Sequence, residues 1–261
     1  MNINKYKYVI LAGTVGLFLV FWEVADLIVN NPLAMVGPVE TAQSFWSFLT
    51  VPVLSALLWS SIATTLTEII AAFALGAVVG IPVGLIMGRY SFADRIFDPW
   101  VNAWYSIPAI AFIPLTMNWT GTTATGAIIV GFLVAVFSII INVYTGVKNV
   151  SKSLVEPALS YGASGAQLFS KVILPASVPN IMVGLRLGMN GAIIGVILAE
   201  MTFSIVGIGG IIFDSADKLR FGLAYSAILV IAIISIGLTV LMKYLNRKVA
   251  PWKEAQAMLR E

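Results

Sequence analysis

The sequence predicts an all-α polytopic membrane protein with six transmembrane helices, and three observations predict it. First, 59% of its 261 residues are apolar and only 10% are charged, with a mean hydropathy of +0.97. Soluble globular domains do not carry that balance. Second, the apolar residues gather into six stretches, about 8–29, 62–88, 100–118, 124–147, 180–203 and 222–245. Each approaches the roughly 20 residues that cross a hydrocarbon core of about 30 Å at about 1.5 Å per residue. Third, the basic residues sort to one side. With the amino terminus inside, the inner segments hold Lys5, Lys7, Arg89, Arg95, Lys148, Lys152, Lys171 and every Lys and Arg from Lys243 onward. The outer loops hold only Lys218 and Arg220, and Arg186 sits within a span. By the positive-inside rule both termini face the cytoplasm, as does the polar island between the fourth and fifth stretches.

The whole chain, 1–261, therefore reads as one transmembrane domain. It has an N-terminal helix at 8–29, a core over about 54–245, a polar loop at 148–175 and a cytoplasmic tail at 246–261. Lys5 and Lys7 ahead of an apolar run imitate a secretion signal. The run is long enough to span, and no A-x-A site follows, so it is expected to be an uncleaved first helix. Phe45, Trp46, Phe48 and Leu49 within Val39–Leu49 suggest a helix lying in the interface. Extended back to Leu54, the second apolar stretch is too long for one crossing, so its first part is expected along the surface. The third stretch contains Pro108 and Pro114, which should break it.

Broken helices at membrane depth are tolerated where they line a cavity. Trp104, Tyr105, Pro108, Phe112 and Asn118 are thus candidate pathway residues, against the alternative of a kinked structural helix with interfacial Trp anchors. Gly76, Gly80, Gly84 and Gly88 recur every four residues on the second span, and Gly184, Gly188, Gly191 and Gly195 form a stripe on the fifth. Stripes of small residues let helix backbones meet closely in lipid, either inside one subunit or at a dimer seam. Away from the fifth-span stripe lie Arg186, Asn190 and Glu200. Arg186 and Glu200 are about 21 Å apart along the axis and cannot pair. Each is a candidate for the pathway or for a structural contact near a helix end.

The island from Lys148 to Pro175 reads as two short helices. Gly162 follows Leu154, Ala158, Leu159 and Tyr161 as a helix-ending glycine would. Ser164 with Gln167 forms a capping box, Leu168, Phe169, Val172 and Ile173 recur at helical spacing, and Pro175 should stop the second helix. An apolar face on so short a pair needs a groove, in a soluble partner or on its own bundle. With no Cys and no His, the chain has no thiol nucleophile, no sulfur or imidazole metal site and no visible catalytic set. The basic residues never gather into a soluble nucleic-acid surface.

The island resembles the cytoplasmic signature of permease subunits in binding-protein-dependent ABC importers: E-A-A, three residues, G, nine residues, I, one residue, L-P. Glu156, Ala158, Gly162, Leu174 and Pro175 match it, with Val172 at the Ile position and Pro157 replacing the first Ala. That proline should either start the first coupling helix or bend it. I-P-A-I-A-F-I-P-L at 107–115, V-G-L-R at 183–186, A-E-M at 199–201 and G-I-G at 207–209 are similar to the sulfonate, nitrate, taurine and bicarbonate branch. Two departures stand out. Glu68 occupies a place where that branch commonly has a basic residue, and its W-F-G-x-G run reads W-T-G-T-T at Trp119–Thr123.

The resemblance implies a type I ABC importer-like fold in a bacterial cytoplasmic membrane, with the loop 148–175 coupling to an ABC ATPase subunit dimer through Glu156, Ala158, Gly162, Ala163, Leu168, Leu174 and Pro175. It implies a second permease copy, an extracytoplasmic substrate-binding protein, and ATP and Mg used by the partner ATPase, with no cofactor bound by this chain. The implied solute is a small anion such as a sulfonate or nitrate, or else an aromatic acid, thiamine precursor or flavin. The chain has no G-x-x-x-x-G-K-[ST] phosphate loop, so it is expected not to hydrolyse ATP itself. Asp214, Asp217, Lys218 and Arg220, with Glu40, are either the docking site for the binding protein or a solvated surface. A rival reading is an ion-gradient-driven transporter, for which Glu68 and Glu200 are the carboxylates well inside spans.

Overall fold

The structure, a computed structural model, describes residues 3–31, 35–203 and 207–249. Every regular element among them is helical. Five helices are long and apolar enough to cross a membrane. The expected tail at 246–261 lies outside the described residues beyond Val249, with Lys253 and Arg260.

Helix α1 (Ile3–Val29) is an outlier: none of its spanning window is buried within the chain. It is held by an edge-on ring pair, Trp22 against Tyr225 with centroids 5.9 Å apart, and by one polar contact. The Val39 N–H, one of the donors left over at the start of α2 (Pro38–Thr50), donates to Glu23 Oε2 at 3.2 Å. The α2 helix falls where an interfacial helix was expected. It buries Phe48 and leaves Trp46 exposed.

Helix α3 (Pro52–Arg89) is a single continuous helix of 38 residues, not a crossing preceded by a separate surface segment. Pro52 sits in its first turn, where a missing N–H costs nothing, and the helix continues past the interior Pro82 to Arg89. The third predicted span is the clearest correction. It is α4 (Ser91–Ser106), a 3₁₀ turn (Ala109–Phe112) and α5 (Ile113–Thr120), so the six expected spanning helices are five plus a broken segment. Pro108 causes the break by holding Ile107 extended, at φ −78° and ψ 126°. Pro114 does not break anything: it sits in the first turn of α5, the position proline favours.

The core is three helices, with α6 (Ala124–Lys148) packed between α3 and α9 (Leu174–Phe203). Both glycine stripes face α6. A methyl group added at Gly80 would come within 2.9 Å of Ile139 Cγ2, and one at Gly84 within 2.7 Å of Val143 Cβ. On the other side of α6, a methyl at Gly195 would lie 2.7 Å from Gly131 Cα. Lipid offers no hydrophobic drive between helices, so this backbone proximity is what dispersion packing needs. Ile69, Ala72, Ala135, Met189, Ala192 and Val196 fill the centre. Helix α10 (Ile208–Asp217) and α11 (Phe221–Val249) close one flank against α2, where Ser226 Oγ donates to the Thr41 carbonyl at 3.0 Å.

Candidate functional site

Two features of the fold bear on function. The first is the polar island. Helix α7 (Lys152–Ser160) is capped by Ser151, whose side chain accepts from the Ser153 N–H. It begins well before Pro157, so the proline lies inside the helix and not at its start. The helix ends on Gly162, at φ +79°. The Gly162 N–H donates to the Leu159 carbonyl at 2.9 Å and the Ala163 N–H to Ala158 at 3.0 Å. This pair of bonds is a Schellman end, and it needs the left-handed backbone that glycine adopts without strain. Ser164 and Gln167 then form the expected capping box at the start of α8 (Gly165–Leu168).

Pro175 does not stop this second helix. A π turn over Phe169–Ile173 runs straight into α9, and Gly165–Phe203 forms one rod of 39 residues. A proline inside an α-helix removes an N–H bond and presses on the carbonyl four residues earlier. The wider π turn immediately ahead relieves that pressure. Leu154, Leu159 and Tyr161 are exposed, Tyr161 at 93%. The coupling residues Glu156, Ala158, Gly162, Ala163, Leu168, Leu174 and Pro175 fall on this α7–turn–α8 unit and the adjoining start of α9.

The unit is attached to the bundle by cations. The Arg89 guanidinium, at the end of α3, lies 4.5 Å from the centre of the Phe169 ring and 5.2 Å from that of Tyr90. Beside it, Lys148 Nζ donates to Asp94 Oδ2 at 2.8 Å and contacts the Tyr144 hydroxyl. The Lys148 hydrogen bond, followed by that of Tyr144, holds the Asp94 carboxyl below the ordinary carboxylate range.

The second feature is a cavity of about 470 Å³ beside the break after α4. Trp104, Tyr105, Pro108 and Phe112 line one wall, Phe137 and Ser138 of α6 another, and Leu187, Asn190 and Ile194 of α9 a third. Trp104 stacks on Phe112 with centroids 5.4 Å apart and planes at 19°, and lies nearly parallel to Phe137 at 6.4 Å. The lining holds hydroxyl and amide groups but no Lys or Arg. Such a surface offers π faces and a few neutral hydrogen bonds.

Of the sequence candidates, Trp104, Tyr105, Pro108, Phe112 and Asn190 come together here, whereas Asn118, Arg186 and Glu200 do not line the cavity. Asn118 is exposed and Arg186 half-buried. Glu200 is fully buried elsewhere, accepting from Thr65 Oγ1 at 2.6 Å and from the Gly209 N–H at 2.8 Å. Sequence reading missed Phe137, Ser138, Leu187 and Ile194. Leu187, Asn190, Gly191 and Ile194 follow one helical face, which is the signal that could have found the α9 wall. At the other end of α10, Asp214 pairs with Lys218 at 2.5 Å and with Arg220 at 3.8 Å, all exposed.

The profile described as "Binding-protein-dependent transport system inner membrane component" matches residues 80–253. The chain is 31% identical over 245 residues to the taurine transport system permease protein TauC of Escherichia coli, covering 92% of this chain and 88% of that protein. It is 26% identical over 240 residues to the nitrate import permease protein NrtB of Leptolyngbya laminosa, covering 90% and 86%. Its fold resembles a chain of the inward-facing MetNI methionine ABC transporter, with a TM-score of 0.65, 20% identity and coverage of 76% of this chain and 98% of that one. The exposed α7–α8 unit, the broken helix over its cavity and these matches agree: the chain belongs to the inner membrane components of binding-protein-dependent transport systems, the ABC permease subunits.

Proposed function

We propose that the chain forms half of the solute pathway of an ATP-driven importer, with a second copy supplying the other half. An ATPase subunit sits beneath each copy, using ATP and Mg, and an extracytoplasmic binding protein delivers the solute. Both termini and the α7–α8 unit lie in the cytoplasm. The observation that carries this reading is the α7–Gly162–α8 unit, whose apolar residues Leu154, Leu159 and Tyr161 are exposed on the chain alone. An amphipathic helix pair of this kind fits a groove in a soluble partner. Its attachment through Arg89 and Phe169 gives the partner's movement a route into α3 and α9.

The solute proposed is a small anion such as a sulfonate or nitrate; relatives of the chain are named for the transport of taurine, aliphatic sulfonates and nitrate. One observation favours a second reading. The cavity has stacked Trp104, Phe112 and Phe137 and no cation in its lining, as a planar aromatic acid, thiamine precursor or flavin would use. Proteoliposomes holding the chain with its ATPase subunit and binding protein test both. Uptake should require ATP inside the cytoplasmic face and follow the solute preference of the binding protein. Accumulation by the chain alone, driven by an ion gradient, would replace the importer with a secondary transporter.

A further inference from the structure

Ser61, Thr65 and Glu68 lie at i, i+4 and i+7 on α3, one face of the helix. That face meets the end of α9 and the beginning of α10. Glu200 accepts from two donors there: Thr65 Oγ1 donates to its Oε1 at 2.6 Å, and the Gly209 N–H to its Oε2 at 2.8 Å. The Ile208 N–H in turn donates to Thr65 Oγ1 at 3.0 Å, and these amides open a ten-residue helix whose positive end favours a carboxylate. A Cβ at Gly207 would collide with the Glu200 carboxyl, so the backbone at Gly207 comes as close to that group as only glycine allows. These donors make Glu200, of the two buried carboxyls on this face, the one better able to carry the charge.

Glu68 has the opposite surroundings. It is 2% exposed, and neither of its oxygens has a donor. The polar group it faces is the Glu200 carboxyl, which offers only lone pairs when ionised. The Ser61 hydroxyl, on the same face and fully buried, also has no partner. Among the described residues no ion pair reaches either carboxyl. On α11 the basic residues Lys243, Arg247 and Lys248 stand at its C-terminal end, and on α2 the charge is Glu40 in the first turn. On α9 the charged neighbour is Arg186, fourteen residues away. On α10 the charges are Asp214 and Asp217 at its far end, where Lys218 and Arg220 engage Asp214. On α6, Lys148 engages Asp94 and Tyr144 at the cytoplasmic end. Two buried anions at close range with no counter-charge would repel strongly in a medium of low dielectric. One proton removes the conflict, because it turns an acceptor into a donor.

We propose that Glu68 and Glu200 share a single proton, Glu68 as carboxylic acid donating to the Glu200 carboxylate, and that this bond latches α10 onto α3 and α9. Opening the latch hydrates Glu68, and a glutamate in water keeps no proton at neutral pH. Opening therefore releases one proton, and raising pH favours the open state. The proposal does not depend on which solute is carried or on the ATPase coupling.

The experiment is amide hydrogen exchange of α10 across a pH series, on the full chain assembled with its partner subunits in nanodiscs and corrected for intrinsic exchange rates. In the native protein the opening equilibrium should rise about tenfold per pH unit, the linkage slope for one proton. Glu68→Gln donates an amide N–H to Glu200 in place of the acid, and its opening should be independent of pH. Infrared spectra provide the second readout. The native protein should show the carbonyl stretch of a protonated carboxylic acid at neutral pH, shifted in heavy water and missing from Glu68→Gln. The proposal is overturned if the native protein lacks that band. It is equally overturned if Glu68→Gln keeps the native pH slope, or if α10 protection follows sodium or lithium concentration at fixed pH, which would make the occupant a metal cation.

Discussion

Replacing Gly162 separates what the helix end needs from what the partner needs. At φ +79° a residue with a Cβ is strained by about 1 kcal/mol, while Asn tolerates this region better. A Cβ there meets nothing within 4 Å and Gly162 is exposed, so a larger side chain has solvent to extend into. Gly162→Ala and Gly162→Trp should then cost the isolated permease the same, about 1 kcal/mol or roughly fivefold in the local equilibrium. The melting temperature should fall by about 2–4 °C at most for a chain of this size. The two variants should diverge once the ATPase subunit is present. Gly162→Asn should retain it on copurification, Gly162→Ala should lose a little, and Gly162→Trp should lose most of it together with ATP-dependent uptake. Full retention and full transport in Gly162→Trp would refute docking at this turn. A collapse of the isolated chain in Gly162→Ala would refute the open space.

Other perturbations test other contacts. Gly84→Val places its Cβ 2.7 Å from Val143 Cβ and 2.8 Å from the Ile140 carbonyl oxygen, well inside contact distance. It should destabilise the bundle by about 1–3 kcal/mol in thermal unfolding, while Gly13→Val, with nothing within 4 Å, should not. Arg89→Ala removes the cation over Phe169, worth about 0.5–1 kcal/mol at an exposed site. It should lower transport per ATP hydrolysed while leaving the ATPase subunit bound. Asp94 is held below the ordinary carboxylate range by Lys148, so its contribution is present above about pH 4 and fades as pH falls further. Asp94→Asn should abolish that acid-side component in a pH series of melting temperatures. Trp104→Ala opens the aromatic wall and should raise KM for uptake without disturbing assembly, measured in proteoliposomes.

The polar island was the most legible part of the sequence because its signals are local. Gly162, Ser164 and Gln167 each specify a backbone hydrogen bond within a few residues, and the Schellman end and capping box formed where expected. Proline was read less well because its effect depends on what precedes it. Pro108 breaks a helix, Pro114 begins one, and Pro175 is passed through by way of a π turn. Composition alone does not distinguish these. The direction of the glycine stripes was also beyond reach, since periodicity gives a face and not the neighbour that fills it. Only the structure shows that α6 takes both. Glu200 was visible as a charge in a span, but Thr65, its partner, is 135 residues away and no spacing rule connects them.

The union of α8, the π turn and α9 has a mechanical meaning. Residues 165–203 make one continuous helical arm of 39 residues, roughly 58 Å from end to end. Its foot rests where a cytoplasmic motor would grip, its middle forms one wall of the aromatic chamber, and its tip carries Glu200. If the π turn and Pro175 near its foot stay rigid, a tilt of about 10° there swings a tip at this distance by about 10 Å, so a modest stroke below is amplified above.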